Sequence, residues 1–429
     1  MSSTENIQLV LLQKIKKFFN KHQQNTEAVS SLDYFYLCPY GTNKGSSRLF
    51  FFFNKILAFK IYIIATFKDL YKALKIGKFS ILNFNKSNKY KTVIFNWGNF
   101  CDFDTKGNFY DKHFNVNSSS CPQILWVIIY QDDKIPLFIG KNVALIHNEK
   151  KILNFYNLIK ILFSTILKKK YINFLNQQFS YSSILSNFFL TNINTLLHDK
   201  IKKIIMPYEG QPFQNSILHK VHLYNNKIKT MGYIHSFPSG LPSNYVKRSG
   251  YPKKIIVTSQ AQKFCFSTHL GWKKDEILVL PSSRYLKNKN INMKNKIYLP
   301  INFIDQNLIL ASIRKIIIKK KLNLTNFEIK NHPHCLNSKK HHNLIIGLKR
   351  TIVENSFIKR EKQSSFSIFI GPTASVIEAL ERNTAVYHIC EIPELESYNK
   401  KIWKYIKSYS IDNNIFEYKV EKKNKLINL

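Results

Sequence analysis

Three short stretches in the C-terminal half of the chain combine reactive side chains with turn residues that would expose them. The first is GPTASVIEAL, Gly371 to Leu380, which follows an apolar run ending at Ile370. Gly371 and Pro372 make a turn, and a helix then opens at Thr373. Backbone N–H groups at a helix start, with the Thr373 and Ser375 hydroxyls on either side of Ala374, suit a phosphate. Glu378, one turn further in, can accept from a ribose hydroxyl. The same letters also suit an ordinary capped helix. The second stretch is KNHPH, Lys330 to His334, closing the short apolar run NFEI. His332 can donate to a phosphate oxygen and Pro333 stiffens the turn, although a single histidine is often only structural. The third is PYEGQPFQ, Pro207 to Gln214. Glu209, followed by Gly210 and Gln211, stands where a strand gives way to a helix, the layout of a carboxylate projecting into a cleft as a general base. Its alternative role is to complement the dipole of the helix that follows.

Further polar residues fall at the ends of apolar runs. His235 and Ser236 end GYIHS, Ser259 ends VTS, and Ser282 and Ser283 end DEILVLPSS. Several such strand ends at one sheet edge are hard to explain as independent caps, because ligands in open α/β sheets bind outside the carboxyl ends of the strands. Earlier in the chain, NWGNFCDFDTKGNFYDKHF places Trp97, Asp102, Asp104, Asp111 and His113 after an apolar strand. An aromatic platform in a loop facing a sugar acceptor and a packed strand-to-loop turn both fit that stretch. Asp102, Asp104 and Gly107 evoke a calcium loop without its remaining ligands. The histidines of HPHCLNSKKHH lack a carboxylate or second cysteine at ligand spacing, so no metal or other cofactor is expected.

These residues need elements to hold them. From Lys202 onward short β-branched runs alternate with helical patterns, the signature of an α/β domain. KTVIFNWG and QILWVIIYQ read as buried strands in the first half, and residues 148–200 repeat apolar positions at helical spacing. FPSGLPSNYVKRSGYP, residues 237–252, concentrates Pro, Gly and Ser and reads as a boundary. The expected division is an N-terminal helix and linker over 1–30, a first Rossmann-like domain over 31–245, a second over 246–395, and a helix with a charged tail over 396–429.

The 429 residues exceed one ordinary core, and 44% hydrophobic residues suffice to fold two. Lys and Arg number 65 against 26 Asp and Glu, a formal +39, which points to an anionic partner. Part of this excess reads as compositional bias, since Lys, Asn, Ile and Phe are abundant together. Nearly all the cations are lysines spread through the chain. Sequence-specific nucleic-acid readers rely on the arginine fork and cluster their charge, so nucleic acid is not the expected partner. An anionic membrane surface and a phosphorylated donor remain. Six scattered cysteines and a polar N-terminus without a signal-peptide pattern suggest a cytoplasmic protein with reduced thiols. The run from Leu49 to Phe67 carries Lys55 and Lys60, and a central Lys costs roughly 2.5 to 3.5 kcal/mol on insertion. It reads as a buried strand and helix, or as an interfacial segment, rather than a span.

In the order YEG, GYIHS, HP and GPTASVIEAL, the chain resembles bacterial glycosyltransferases of capsule and lipopolysaccharide synthesis that use CMP-activated acidic sugars, the sialyltransferase-like and Kdo-transferase-like enzymes. It is most similar to the surface carbohydrate biosynthesis proteins, over about residues 92 to 392. The resemblance implies a GT-B fold, two Rossmann-like domains facing a cleft with a C-terminal helix crossing back, and metal-independent transfer. It implies that Glu209 is the general base, that His332 and Pro333 hold the CMP phosphate and assist its departure, and that Thr373 and Ser375 also contact that phosphate. Tyr208 stands where many relatives carry a second carboxylate, and Ala374 interrupts the paired hydroxyls. A UDP-sugar would also suit the turn and Glu378. The expected activity is transfer of a sugar from a nucleotide donor to a surface polysaccharide or glycolipid acceptor, at the inner face of the bacterial inner membrane. The alternatives are a non-catalytic scaffold of envelope assembly with the same fold, and a basic nucleic-acid-binding protein.

Overall fold

A computed structural model describes residues 3–22, 79–84, 90–130, 132–148, 193, 195–248, 250–283, 285, 291–357, 365–421 and 426–427. The chain opens with α1 (Ser3–His22). Strands β1 (Phe79–Leu82), β2 (Thr92–Gly98), the small hairpin β3 (Tyr110–Asp111) and β4 (Val116–Asn117), β5 (Ile124–Tyr130) and β6 (Val143–Asn148) follow. Then come β7 (Lys203–Pro207), α2 (Pro212–Tyr224), β8 (Lys229–Tyr233), β9 (Lys254–Val257), α3 (Gln260–His269) and β10 (Ile277–Val279). The remainder is β11 (Lys296–Tyr298), α4 (Gln306–Lys320), β12 (Glu328–Lys330), α5 (Lys339–Asn355), β13 (Phe366–Ile370), α6 (Ser375–Glu381), β14 (Ala385–Ile389), α7 (Pro393–Glu396), β15 (Ile406–Asp412) and β16 (Ile415–Val420).

Among the described residues two large sheets form beside the β3–β4 hairpin, and the protein is of the mixed α/β class. The first runs β1-β6-β5-β2-β7-β8-β9-β10, with every neighbouring pair parallel except β1 with β6. The second runs β12-β11-β13-β14-β16-β15, parallel through β14 and antiparallel beyond it. The near-continuous apolar strands follow from burial on both faces. In β5, Leu125, Val127 and Ile129 face one core while Trp126, Ile128 and Tyr130 face the other, as the two-residue period requires. The second of these cores is closed by Phe103, Phe109 and Phe114 from the loop after β2. In the second sheet Ile297, Ile368 and Ile370 pack under α4 and α5, while Phe369, Val386 and Tyr418 face the large core they share with the first sheet.

Helix ends follow the expected chemistry. Ser259 caps α3 by accepting from Gln262 N, Asp305 caps α4, and Gly271 adopts a left-handed φ of +85 just beyond the end of α3. Two expectations meet a different outcome. The Pro/Gly/Ser-rich segment around 238–252 is almost wholly buried, and β9 and β10 beyond it still add to the first sheet, so the change of sheet falls between β10 and β11. The C-terminal helix is corrected: after the single turn of α7 the chain forms the hairpin β15–β16, paired through β16 to β14. The reason is the alternation in SYSIDNNIFEYKV, which buries Ile415, Phe416 and Tyr418 around an Asp-Asn-Asn turn.

Helix α1 buries Leu11, Leu12 and Ile15 and places the Gln8 amide 2.9 Å from Ser397 O. Among the described residues no helix is long and apolar enough to cross a membrane. The run 49–67 and nearly all of the helix expected over 148–200 lie outside the described residues.

Candidate functional site

Because β2 and β5 to β10 are parallel, their carboxyl ends lie along one edge of the first sheet, and four of the predicted strand ends meet there. Glu209 follows β7 by two residues. Its backbone is fixed first: Gly210 has φ +71, a left-handed conformation that glycine adopts without strain. A Cβ at that position would lie 2.2 Å from Asn244 O. Asn244 Nδ2 donates to Glu209 O at 2.6 Å, and Arg248 donates to Gly210 O at 3.1 Å. Beneath the turn, the Asn215 amide is oriented to donate to the buried Tyr208 hydroxyl and accept from Arg248, both at 2.6 Å. Tyr208 thus supports the turn from inside rather than supplying a second group to the cleft.

The Glu209 side chain, about a quarter exposed, accepts from Gln211 Nε2 at 2.6 Å on Oε2. Its Oε1 lies 3.5 Å from Nε2 of His235, at the end of β8. The His235 ring stands 4.4 Å from that of His113, edge to face, and both lie against Trp97 at 6.2 and 4.9 Å. Ser283, beyond β10, donates to His113 O at 2.9 Å and is within 3.4 Å of the Tyr233 hydroxyl. Five separate segments therefore build one cluster of a carboxylate, two imidazoles and an indole. Ser236, next to His235, is half-buried on the same loop.

Sequence reasoning named Asp111 and His113 among the polar residues of the loop after β2 and gave neither a role of its own. Asp111 is fully buried and accepts from Asn96 Nδ2 at 2.6 Å and from the backbone N–H groups of His113 and Phe114 at 2.8 and 3.1 Å. Burial pushes its carboxyl up to about 6, against the pull of those three hydrogen bonds. The His113 backbone is fixed by its N–H donating to this carboxyl. The signal was present as an acid and a histidine two residues apart in a loop, but nothing local says that the loop folds back over β8.

Other predicted residues do different work. Asp102 is buried, accepts from Asn99 N and pairs with Lys112. Asp104 is exposed and closes its own loop by accepting from the N–H groups of Lys106 and Asn108. Ser259 and Ser282 are buried, and their hydroxyls accept from Gln262 N and Tyr285 N. All three predicted serines, 259, 282 and 283, lie at the carboxyl edge of the first sheet, with His235 and Ser236.

That turn ends β13 in the second sheet. Gly371 has φ +67, and its carbonyl accepts from His388 Nε2 at 2.7 Å. His388 is fully buried, and burial lowers it to about 4, so it is a neutral ring with Nε2 protonated. Its Nδ1 lies 3.2 Å from the Tyr418 hydroxyl, which accepts from Tyr398 N at 3.1 Å. Pro372, Thr373, Ala374 and Ser375 are half-buried, and Thr373 Oγ1 accepts from Ser375 N at 3.3 Å. Glu378 pairs with Arg382 at 2.9 Å, and its charge helps burial push the nearby Tyr298 hydroxyl up to about 12. His332, half-buried, and Pro333, exposed, end β12, whose carboxyl end shares an edge with that of β13 across the single strand β11.

One residue touches the loops at both edges. The Tyr398 hydroxyl lies 3.1 Å from Pro238 O, in the loop after β8, and 3.3 Å from Thr373 O, in the loop after β13.

No family model matches the chain. No curated protein matches it. Among solved structures it is similar to a glycosyltransferase from Rickettsia africae ESF-5, at 12% identity over 69% of this chain and 78% of that one, with a TM-score of 0.31. At that TM-score the likeness carries no inference about fold or chemistry.

Proposed function

We propose that the protein is a glycosyltransferase, with Glu209 as the general base and the turn at Gly371 to Ser375 as the seat of the donor phosphate. The carrying observation is the Glu209 carboxylate, fixed by Gln211 and a glycine turn, beside two imidazoles and the Trp97 indole at the carboxyl edge of a parallel sheet. An indole face beside a carboxylate suits a sugar ring with a hydroxyl to be deprotonated. In the reaction Glu209 takes the acceptor hydroxyl proton as that oxygen bonds to the anomeric carbon. The bond from that carbon to the phosphate oxygen breaks, and its electron pair leaves with the nucleotide.

His332 and the Thr373 and Ser375 hydroxyls would meet the departing charge, with no metal required. Their strand ends are two strand spacings apart, roughly 10 Å, a gap that a phosphate between two side chains fills. The contacts of Tyr398 with both edges favour a GT-B arrangement with the donor in the second half and the acceptor in the first. A CMP-linked acidic sugar is the proposed donor, a glycan or glycolipid the acceptor, and a membrane face the setting.

Glu209→Gln tests the reading, since it keeps the shape and removes the base. With CMP-, UDP- and GDP-sugars as donors, transfer should fall about 10²- to 10⁴-fold, while titration calorimetry shows CMP still bound. Undiminished transfer would remove Glu209 from the mechanism. No affinity for any of the three nucleotides would remove the transferase.

A further inference from the structure

The turn proposed as the seat of the donor phosphate contains a peptide group that can only repel an anion. Pro372 has no N–H, so the peptide between Gly371 and Pro372 offers the Gly371 oxygen and nothing that donates. Facing the cleft, that oxygen would set the negative end of a dipole against a phosphate. In the structure it points the other way, into the protein, and a buried side chain holds it there.

That side chain is His388. Strands β13 and β14 are parallel, with Phe369 opposite His388 and Ile370 opposite Ile389. The imidazole reaches forward from β14 to the turn, where Nε2 lies 2.7 Å from Gly371 O. The Gly371 N–H donates to Ile389 O at 2.8 Å. Both polar groups of Gly371 are thus committed to neighbouring residues of β14, in a left-handed conformation, φ +67, that suits glycine.

The partners fix where the ring proton sits. A carbonyl only accepts, so Nε2 carries the hydrogen and the neutral ring presents Nδ1 as an acceptor. Two groups able to donate stand beside Nδ1. One is the Tyr418 hydroxyl at 3.2 Å, whose oxygen accepts from Tyr398 N at 3.1 Å, and the other is the Cys390 thiol at 3.4 Å. His388, Cys390 and Tyr418 are all fully buried. The tautomer that donates to Gly371 O is therefore the one its surroundings select.

We propose that His388 is a positioning residue for the donor phosphate: by holding the Gly371 carbonyl inward, it keeps the turn from Gly371 to Ser375 receptive to an anion. The inference rests on the proposed transferase reading, in which that turn seats the phosphate.

Titration calorimetry of the full chain with CMP and with cytidine, which lacks the phosphate, tests it. His388→Gln sets an amide N–H where Nε2 stood and should bind CMP within about threefold of the parent. His388→Asn keeps a polar group near the Nδ1 position but is too short to reach Gly371 O. It should weaken CMP binding at least about tenfold while cytidine binding changes less than about threefold. Equal losses for CMP and cytidine in the asparagine variant would show that His388 only supports the fold, and would overturn the proposal. So would an asparagine variant that binds CMP as tightly as the parent. If the asparagine variant does not fold, the glutamine variant decides alone: a loss of CMP affinity without a loss of cytidine affinity there overturns the role of the Gly371 hydrogen bond. A parent protein with no affinity for CMP would remove the phosphate seat itself, and the inference with it.

Discussion

The buried carboxyl of Asp111 offers the sharpest quantitative test of the site's construction. Its ordinary value of 3.8 is raised to about 6 in the folded protein, mainly by burial. A carboxyl raised on folding favours the protonated form in the native state. Its contribution to stability is therefore complete below about pH 4 and is lost as pH climbs through 6. The displacement is worth roughly 3 kcal/mol over that window. Asp111→Asn removes the titration but also disturbs the hydrogen bonds. Oδ1 can still accept from the His113 and Phe114 N–H groups, but an amide nitrogen in place of Oδ2 would face the Asn96 amide nitrogen, donor against donor at 2.6 Å. Asn96 cannot turn over without losing the Trp97 N–H that its oxygen accepts at 2.8 Å. That mismatch costs about 1 to 3 kcal/mol at any pH. The variant should be clearly less stable than the parent near pH 4.5 and close to it, or slightly more stable, near pH 7.5. Urea unfolding of both proteins across that range measures the difference. Two curves that stay parallel from acid to neutral pH would show that Asp111 does not titrate in this window and refute the account of its burial.

Two further substitutions probe the positioning of the site. Gly210→Ala places a methyl group 2.2 Å from Asn244 O in a left-handed conformation that alone costs about 1 to 2 kcal/mol; urea unfolding should show a larger loss than that, and transfer activity should fall because Glu209 moves with the turn. Tyr398→Phe keeps the ring against Phe237 and Trp403 but removes the hydroxyl that reaches both Pro238 O and Thr373 O. It should cost about 1 to 3 kcal/mol in the same measurement, and an unchanged midpoint would mean that both carbonyls are satisfied without it.

What the sequence disclosed depended on how local the cause was. Glu209 and His235 were legible together because each ends an apolar run in a parallel α/β pattern, and parallel strands must bring their carboxyl ends to one edge. His113 and Asp111 were not, because their place over β8 depends on Phe103, Phe109 and Phe114 closing the core beneath the loop. A hydroxyl at a strand end is ambiguous by nature: Ser259 and Ser282 serve backbone N–H groups, Ser283 serves a carbonyl, and no spacing distinguishes these from a ligand contact. The tail misled through its period. IWKYIKSY repeats apolar residues at a helical interval, but Ile402 and Trp403 are buried in an irregular segment and only from Ile406 does the two-residue alternation of β15 take over. The buried segment around 238–252 misled through composition, since Pro, Gly and Ser there answer to close packing: a Cβ on Gly240 would meet Ser397 O at 2.3 Å.

That close packing bears on how the two edges are held relative to each other. The segment from Leu395 to Trp403 is tied to the loop after β8 by three hydrogen bonds, from Leu241 N to Leu395 O at 3.0 Å, from Trp403 Nε1 to Gly240 O at 2.6 Å and from the Tyr398 hydroxyl to Pro238 O. Phe237 adds a ring contact with Trp403 at 4.7 Å, and α1 covers the segment through Gln8. Toward the Gly371 turn the same segment reaches Thr373 O with a proton already shared with Pro238, and its second link there, Tyr398 N to the Tyr418 hydroxyl, passes on through His388 to Gly371 O. A shared proton at 3.3 Å is a weak restraint, whereas buried aromatic contacts with an indole hydrogen bond are strong ones. The segment is nevertheless tied to both sheets, because Tyr398 also packs against Tyr418 and His388 of the second sheet at 5.9 and 6.3 Å. On the proposed transferase reading, a separation of the two edges would break the long Tyr398 to Thr373 hydrogen bond before the short one from Trp403 to Gly240.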